Sequence, residues 1–319
     1  MREFKSSFAS KIQEYLRFRA AMGFSGDHEK NLMFFDHFCC DHYPHEQCLK
    51  AEIVREWISY EIAQGRSGLP NKASAIRLFA KHLGNGAYIL PADYVSQKSS
   101  FAPYVFTDEE LAALFRAADT LRYRQDPFLS VTIPVLLRLL YACGLRPHEG
   151  RCLMHGNICF ETGEILITKT KRNKERIVVM SDDMLALMKQ YDIRRTPVAR
   201  GNEYFFVRGN GEAIQSAHLY GLFQRCWKAA NPNVAPHLLP RARMHDLRHR
   251  YASTVLQKWI DEGRNLYAML PYLRAYMGHE RLTDTAYYIH ILPERLLLSP
   301  GVDWERLDSL VPEVKIWQR

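Results

Sequence analysis

No apolar run in this chain reaches the roughly 20 residues needed to cross a bilayer, and no basic leader followed by an apolar stretch opens it. A membrane span and a secretory leader are therefore not expected, and the protein is expected to be cytoplasmic. Cysteine is sparse: the 7 among 319 residues are an odd number without the regular spacing of a secreted disulfide framework, which suits reduced thiols in a reducing compartment. No carboxylate cluster with metal-binding spacing stands near the basic stretches, which argues against a metallonuclease. Gly209-Asn210-Gly211 is not followed by Lys-Ser/Thr, so it is a turn and not a phosphate loop. Internal repeats and low-complexity tracts are also missing. No cofactor and no metal are expected.

What is present is a globular composition with an excess of positive charge. The apolar fraction of 47% beside 24% charged residues excludes a wholly disordered chain. Lys+Arg 43 against Asp+Glu 35 gives a net charge of +8, which favours a polyanionic partner without identifying it. The length suits two domains, or one large one. Cys39, Cys40, His42, His45 and Cys48 lie close enough to surround a zinc ion. The adjacent cysteines lack the usual ligand spacer, however, and the group follows the apolar helical run Leu32, Met33, Phe34, Phe35 and Phe38, so a packed helix end is expected there.

Apolar residues at helical spacing predict helices over Phe8 to Ala21, Asp27 to Cys40, Leu49 to Gln64 and Pro70 to Leu83. Residues 1–90 thus form a small helical domain, and the aperiodic residues 91–103 a linker. A second domain, residues 104–300, opens on Thr107 and Glu110, a pair suited to a capping box. Phe128 to Ala142 is a buried helix stopped by Gly144. Ile158 to Phe160, Ile165 to Thr168 and Arg176 to Met180 read as three strands, with the basic loop Lys169 to Glu175 before the last. Most of the remainder to Tyr288 reads as helix. The fold class expected is mainly α with a small antiparallel β-sheet.

His245-Asp246-Leu247-Arg248 places a histidine and an arginine on one helix face, near a helix start where both would meet an anion. Arg146 follows Cys143-Gly144-Leu145, Lys171 sits in the basic loop, His279 follows Met277-Gly278, and Tyr288 lies nine residues further on. With these boxes in this order, the chain resembles the tyrosine recombinases, or phage-type integrases, over nearly its whole length. The quoted residues are Gly144-Leu145-Arg146-Pro147-His148-Glu149, Thr170-Lys171-Arg172, His245-Asp246-Leu247-Arg248-His249, Met277-Gly278-His279 and Ala286-Tyr287-Tyr288. Met277 stands where the family usually has leucine, and the stretch Gln257 to Tyr276 is longer than in compact members, a pattern similar to integrases and transposases of mobile elements.

The resemblance implies a two-domain DNA clamp: a helical core-binding domain, a catalytic domain, and a tail, residues 301–319, that docks on a neighbouring protomer or packs on its own domain. It implies double-stranded DNA as partner, a homotetramer on DNA, and accessory recombination proteins. It also implies catalytic roles for Arg146, Lys171, His245, Arg248, His279 and Tyr288. Guanidinium groups offer paired donors to non-bridging phosphate oxygens, a lysine can protonate the leaving 5'-oxygen, and a tyrosine can hold the 3'-phosphate covalently. Lys169 or Lys174 could take the place of Lys171, and Tyr287 that of Tyr288. Glu149 either orients the first arginine or is a helix-surface glutamate. Lys11, Arg17, Lys72, Arg77 and Lys81, interleaved with apolar helix faces, either meet the DNA backbone or belong to a solvated surface. A type IB topoisomerase-like nicking activity and a non-catalytic DNA-binding protein are the competing functions.

Overall fold

The structure is a computed structural model, which describes residues 3–24, 28–65, 67–95, 103–168 and 175–291, with residues 290 and 291 described by their backbone alone. The chain divides into two compact units, residues 1–101 and 102–319, a division that falls within the expected linker. Lys171, the loop residues 169–174 and the tail 301–319 lie outside the described residues.

Among its described residues the first unit holds four helices, α1 (Ala9–Ala21), α2 (His28–His42), α3 (Ala51–Ala63) and α4 (Leu69–Leu83). Their inward faces bury Phe8, Ile12, Phe35, Trp57, Ile76 and Phe79 in one core, which supplies the main stabilisation. Cys39 is fully buried in that core while Cys48 is exposed, and among the described residues no three potential ligands gather around a metal position. The expected backbone contacts need correction at Lys72 and Arg77. Lys72 is buried and ion-paired with Glu61, its ammonium 4.2 Å from the centre of the Phe34 ring. Arg77 is turned onto the Leu90 and Pro91 carbonyls. Arg17 and Lys81 are exposed.

The second unit is built around α6 (Leu129–Ala142), an almost wholly apolar helix. Leu136, Leu137, Leu139 and Leu140 are fully buried. Before it runs α5 (Asp108–Thr120), whose start has the expected capping box: Glu110 N donates to Thr107 Oγ1 at 3.2 Å and Thr107 N to Glu110 Oε2 at 2.9 Å. A short helix α7 (Pro147–Arg151) packs on α6 through Gly150, where an added Cβ would lie 2.6 Å from Leu140. Next come β1 (Glu164–Ile167) and β2 (Arg176–Val179), antiparallel with Glu164 opposite Val179. The expected third strand is not formed, since Ile158 makes only an isolated bridge to Ile165 and the preceding residues turn in a 3-10 helix, His155–Asn157.

Helices α8 (Asp182–Ala199), α9 (Ser216–Ala230), α10 (Met244–Asp261), α11 (Leu266–Met277) and α12 (Leu282–Ala286) complete the described part, with a 3-10 turn over Tyr287–Ile291. Among the described residues no helix is long and apolar enough to cross a membrane.

Candidate active site

Two helix ends aim the site. α6 stops at Gly144, whose φ of +57° closes the helix in the left-handed conformation, with Leu145 N donating back to Leu140 O at 3.1 Å. The chain then reverses, and Arg146 caps α7 with Pro147 at the first helical position. α11 stops the same way at Gly278, φ +65°, with His279 N donating to Arg274 O at 3.0 Å. No other residue type enters these turns without strain. At Gly144 an added Cβ would also lie 2.5 Å from the Tyr251 ring. Both glycines therefore belong to the geometry of the boxes they precede.

His245 and Arg248 lie in the first turns of α10, at its positive end. Arg248 is 1% exposed. Its Nη1 donates to the Gly144 carbonyl at 2.7 Å, its Nη2 donates to the Met277 carbonyl, and Nη2 lies 3.0 Å from His279 Nε2. This one side chain therefore ties together the ends of α6 and α11. Burial, and then the positive charge of Arg146, lowers its pKa to about 10. It remains charged at neutral pH.

Arg146 is more open. It donates from Nη1 to Glu149 at 2.7 Å and from Nη2 to the Gly278 carbonyl at 3.1 Å. Glu149 is buried, not a surface glutamate, and it accepts from Arg176 Nη1 and Nη2 at 2.9 and 2.8 Å as well as from the Arg146 backbone at 2.9 Å. Burial alone would raise its pKa; the bonds and charge of Arg176, then those of Arg146, overcome burial and hold it at about 2. Arg176, on β2, is a site residue that motif spacing did not reveal. Its Nε also donates to the Tyr276 carbonyl at 2.8 Å.

Tyr288 is 3% exposed. Its ring stacks on His279, with centroids 5.7 Å apart and planes at 23°, and meets His249 at 5.4 Å on another side. Burial raises its pKa, and the charge and hydrogen bond of Arg248 oppose that rise, so the hydroxyl is a protonated phenol beside a guanidinium. Tyr287 is more open, its ring 6.3 Å from that of Tyr288. His279 Nδ1 pairs with Thr285 Oγ1 at 2.9 Å, a contact with no sequence signal. Burial first, and neighbouring positive charges second, lower His279 to about 3 and both His245 and His249 to about 4. All three are neutral imidazoles at neutral pH, able to accept a proton. Among the described residues His249 Nδ1 has no hydrogen-bond partner.

Arg146, His245, Arg248, His279 and Tyr288 thus converge from four separate stretches of chain. With His249 against Tyr288, two guanidinium groups, three neutral imidazoles and a buried phenol can bind an oxyanion, exchange protons and supply an oxygen nucleophile.

The phage integrase family pattern matches residues 105–295. Tyrosine recombinase XerD of Rhizobium meliloti is 27% identical over 260 residues, covering 77% of this chain and 78% of that protein. The Tn1549 transposon integrase, solved with transposon right end DNA, shares the fold with a TM-score of 0.67 at 16% identity, covering 93% of this chain and 99% of that one. XerH site-specific recombinase, solved with palindromic difH substrate, gives a TM-score of 0.65 at 21% identity, over 86% and 78% of the two chains.

Proposed function

The chain belongs to the phage integrase family, and from that premise we propose that it is a site-specific DNA recombinase working through a covalent 3'-phosphotyrosine on Tyr288. The observation that carries this is the burial of the Tyr288 phenol against His279, beside Arg248, with Arg146 at the more open side of the same cluster.

Arg146 and Arg248 hold the non-bridging oxygens of the phosphate as negative charge develops on them. Glu149 and Arg176 fix Arg146 in place. The Tyr288 oxygen attacks phosphorus, the bond to the 5'-oxygen breaks, and the phenolic proton passes to neutral His245. Lys171 protonates the departing 5'-oxygen. His279 donates a further hydrogen bond to the phosphate. The phosphodiester energy is kept in the phosphotyrosine, so rejoining to a 5'-hydroxyl needs no nucleotide.

Strand exchange brings two duplexes together, which a homotetramer on DNA accomplishes, with accessory recombination proteins and with residues 301–319 docking between protomers. The substrate is met in the cytoplasm, and integration or excision of a mobile element is the biological role. The test uses a supercoiled plasmid carrying two copies of the junction at the ends of the encoding element. Recombinant circles lost in Tyr288→Phe are expected; relaxation without exchange would instead indicate topoisomerase-like activity, and no product at all would contradict the proposal.

A further inference from the structure

A second cationic surface lies at the other end of α6 from Arg146. The loop joining α5 to α6 brings Arg122 and Arg124 beside His218 and Arg225 of α9 and the nearby Arg208, around a hollow of about 440 Å³. An adjoining hollow of about 520 Å³ shares Arg122, Tyr123 and Arg124 and extends to Arg194 of α8. The two acids of this surface are engaged. Asp126 accepts from Gly209 N at 2.9 Å and Arg208 Nε at 3.3 Å, and Asp119 is bridged by both terminal nitrogens of Arg138 at 2.8 and 2.7 Å. Among the described residues Arg122, Arg124, Arg194 and Arg225 make no ion pair.

The surface is also shaped. Arg225 lies 4.8 Å over the Tyr123 ring, which orients its guanidinium. Arg122 Nη1 donates to the Asp119 and Leu121 carbonyls. Gly209, in the Gly209-Asn210-Gly211 turn, leaves room for Asp126, since an added Cβ would sit 2.7 Å from its Oδ1. Every formally cationic residue lining the two hollows is arginine, the residue whose planar fork matches phosphate oxygens.

We propose that these arginines form a non-catalytic phosphate-binding surface that grips the backbone of the DNA flanking the cleaved position. Two open, adjoining hollows suit a continuous polyanion better than a single small anion. α6 has 14 residues, so at about 1.5 Å per residue it sets this surface roughly 20 Å from the Arg146 turn. Duplex DNA advances about 3.4 Å per base pair, so this separation matches the rise of about six base pairs. The surface adds affinity without altering the chemistry. The inference rests on the DNA-acting function proposed above.

The test compares wild type with an Arg124→Gln/Arg225→Gln double variant and with a Lys50→Gln/Lys258→Gln control that removes equal charge at lysines already paired with Glu46 and Glu262. Binding to a non-cognate duplex is measured against salt, with melting temperatures confirming that all three are folded. Each phosphate contact contributes about 0.9 to the slope of log affinity on log salt, so the double variant should lose about 1.8 from the slope. Its affinity should then fall about twelve-fold less than that of wild type over a four-fold rise in salt. Its covalent adduct yield at saturating DNA should match wild type. An unchanged slope, or an equal loss in the control, overturns the surface. A reduced slope in a protein that forms no adduct would retain the surface and overturn the tyrosine chemistry instead.

Discussion

Arg176 on β2 and Glu149 on α7, 27 residues apart in sequence, meet in a double-pronged ion pair at 2.9 and 2.8 Å, buried beneath Arg146. The pair links the strand that follows the basic loop to the turn carrying the first arginine. Removing one partner of a buried pair leaves the other charge without compensation. Glu149→Gln should therefore cost about 3–5 kcal/mol of stability and lower cleavage by loosening Arg146. Urea unfolding checks the first effect and adduct yield the second. An unchanged midpoint would show that the pair is dispensable.

Gly144→Ala combines a left-handed backbone position with a contact of 2.5 Å to the Tyr251 ring. Strain of about 1–3 kcal/mol is expected from the backbone alone. The Gly144 carbonyl accepts from Arg248, so the substitution should reduce cleavage even below the melting temperature, where the protein is still folded. Full activity in a folded Gly144→Ala protein would contradict the coupling of this turn to Arg248.

The local parts of this fold were legible in the sequence. Thr107 and Glu110 are three residues apart and satisfy each other directly, and the four helices of the first unit follow from apolar spacing. Long-range partners leave no such trace. Nothing in the spacing of Arg176 or Thr285 points to Glu149 or His279, because these contacts form only when separate elements pack. Ile158 to Phe160 is apolar enough for a strand, but a 3-10 turn takes the preceding residues and leaves a single bridge. Lys72 looked like a surface cation because its ammonium carries charge; its partner Glu61 and the Phe34 ring make burial affordable.

Acid should destabilise the second unit in two overlapping stages. His245, His249 and His279 sit at about 4, 4 and 3, below the ordinary 6.5, so the unfolded chain takes up their protons first. Stability is fully present above about 6.5 and declines as pH falls toward 4 and 3. Glu149, at about 2 against 4.5, contributes above 4.5 and loses that contribution as pH falls through 2. Melting temperatures measured from neutral pH down to about 4.5 should fall continuously. A flat profile across that range would mean that the imidazoles are not buried as described.

Two histidines stand one helical turn apart, and only one is assigned the proton from Tyr288. His245→Phe should lower cleavage by about 10²–10⁴-fold. His249→Phe keeps a ring against Tyr288 and removes an Nδ1 without a hydrogen-bond partner among the described residues and an Nε2 that lies 3.9 Å from Asp246 Oδ1, so its rate should stay within about ten-fold of wild type. Single-turnover cleavage rates decide between them, and the opposite order would reassign the base to His249.

The most direct measurement traps the enzyme on a nicked suicide duplex from the flank of the encoding element, in chelator, and maps the attachment site by peptide mass spectrometry. Wild type and Tyr287→Phe should both carry the 3'-phosphate on Tyr288, and Tyr288→Phe should bind the duplex without forming an adduct. An adduct on Tyr287, or one that persists in Tyr288→Phe, would contradict the account.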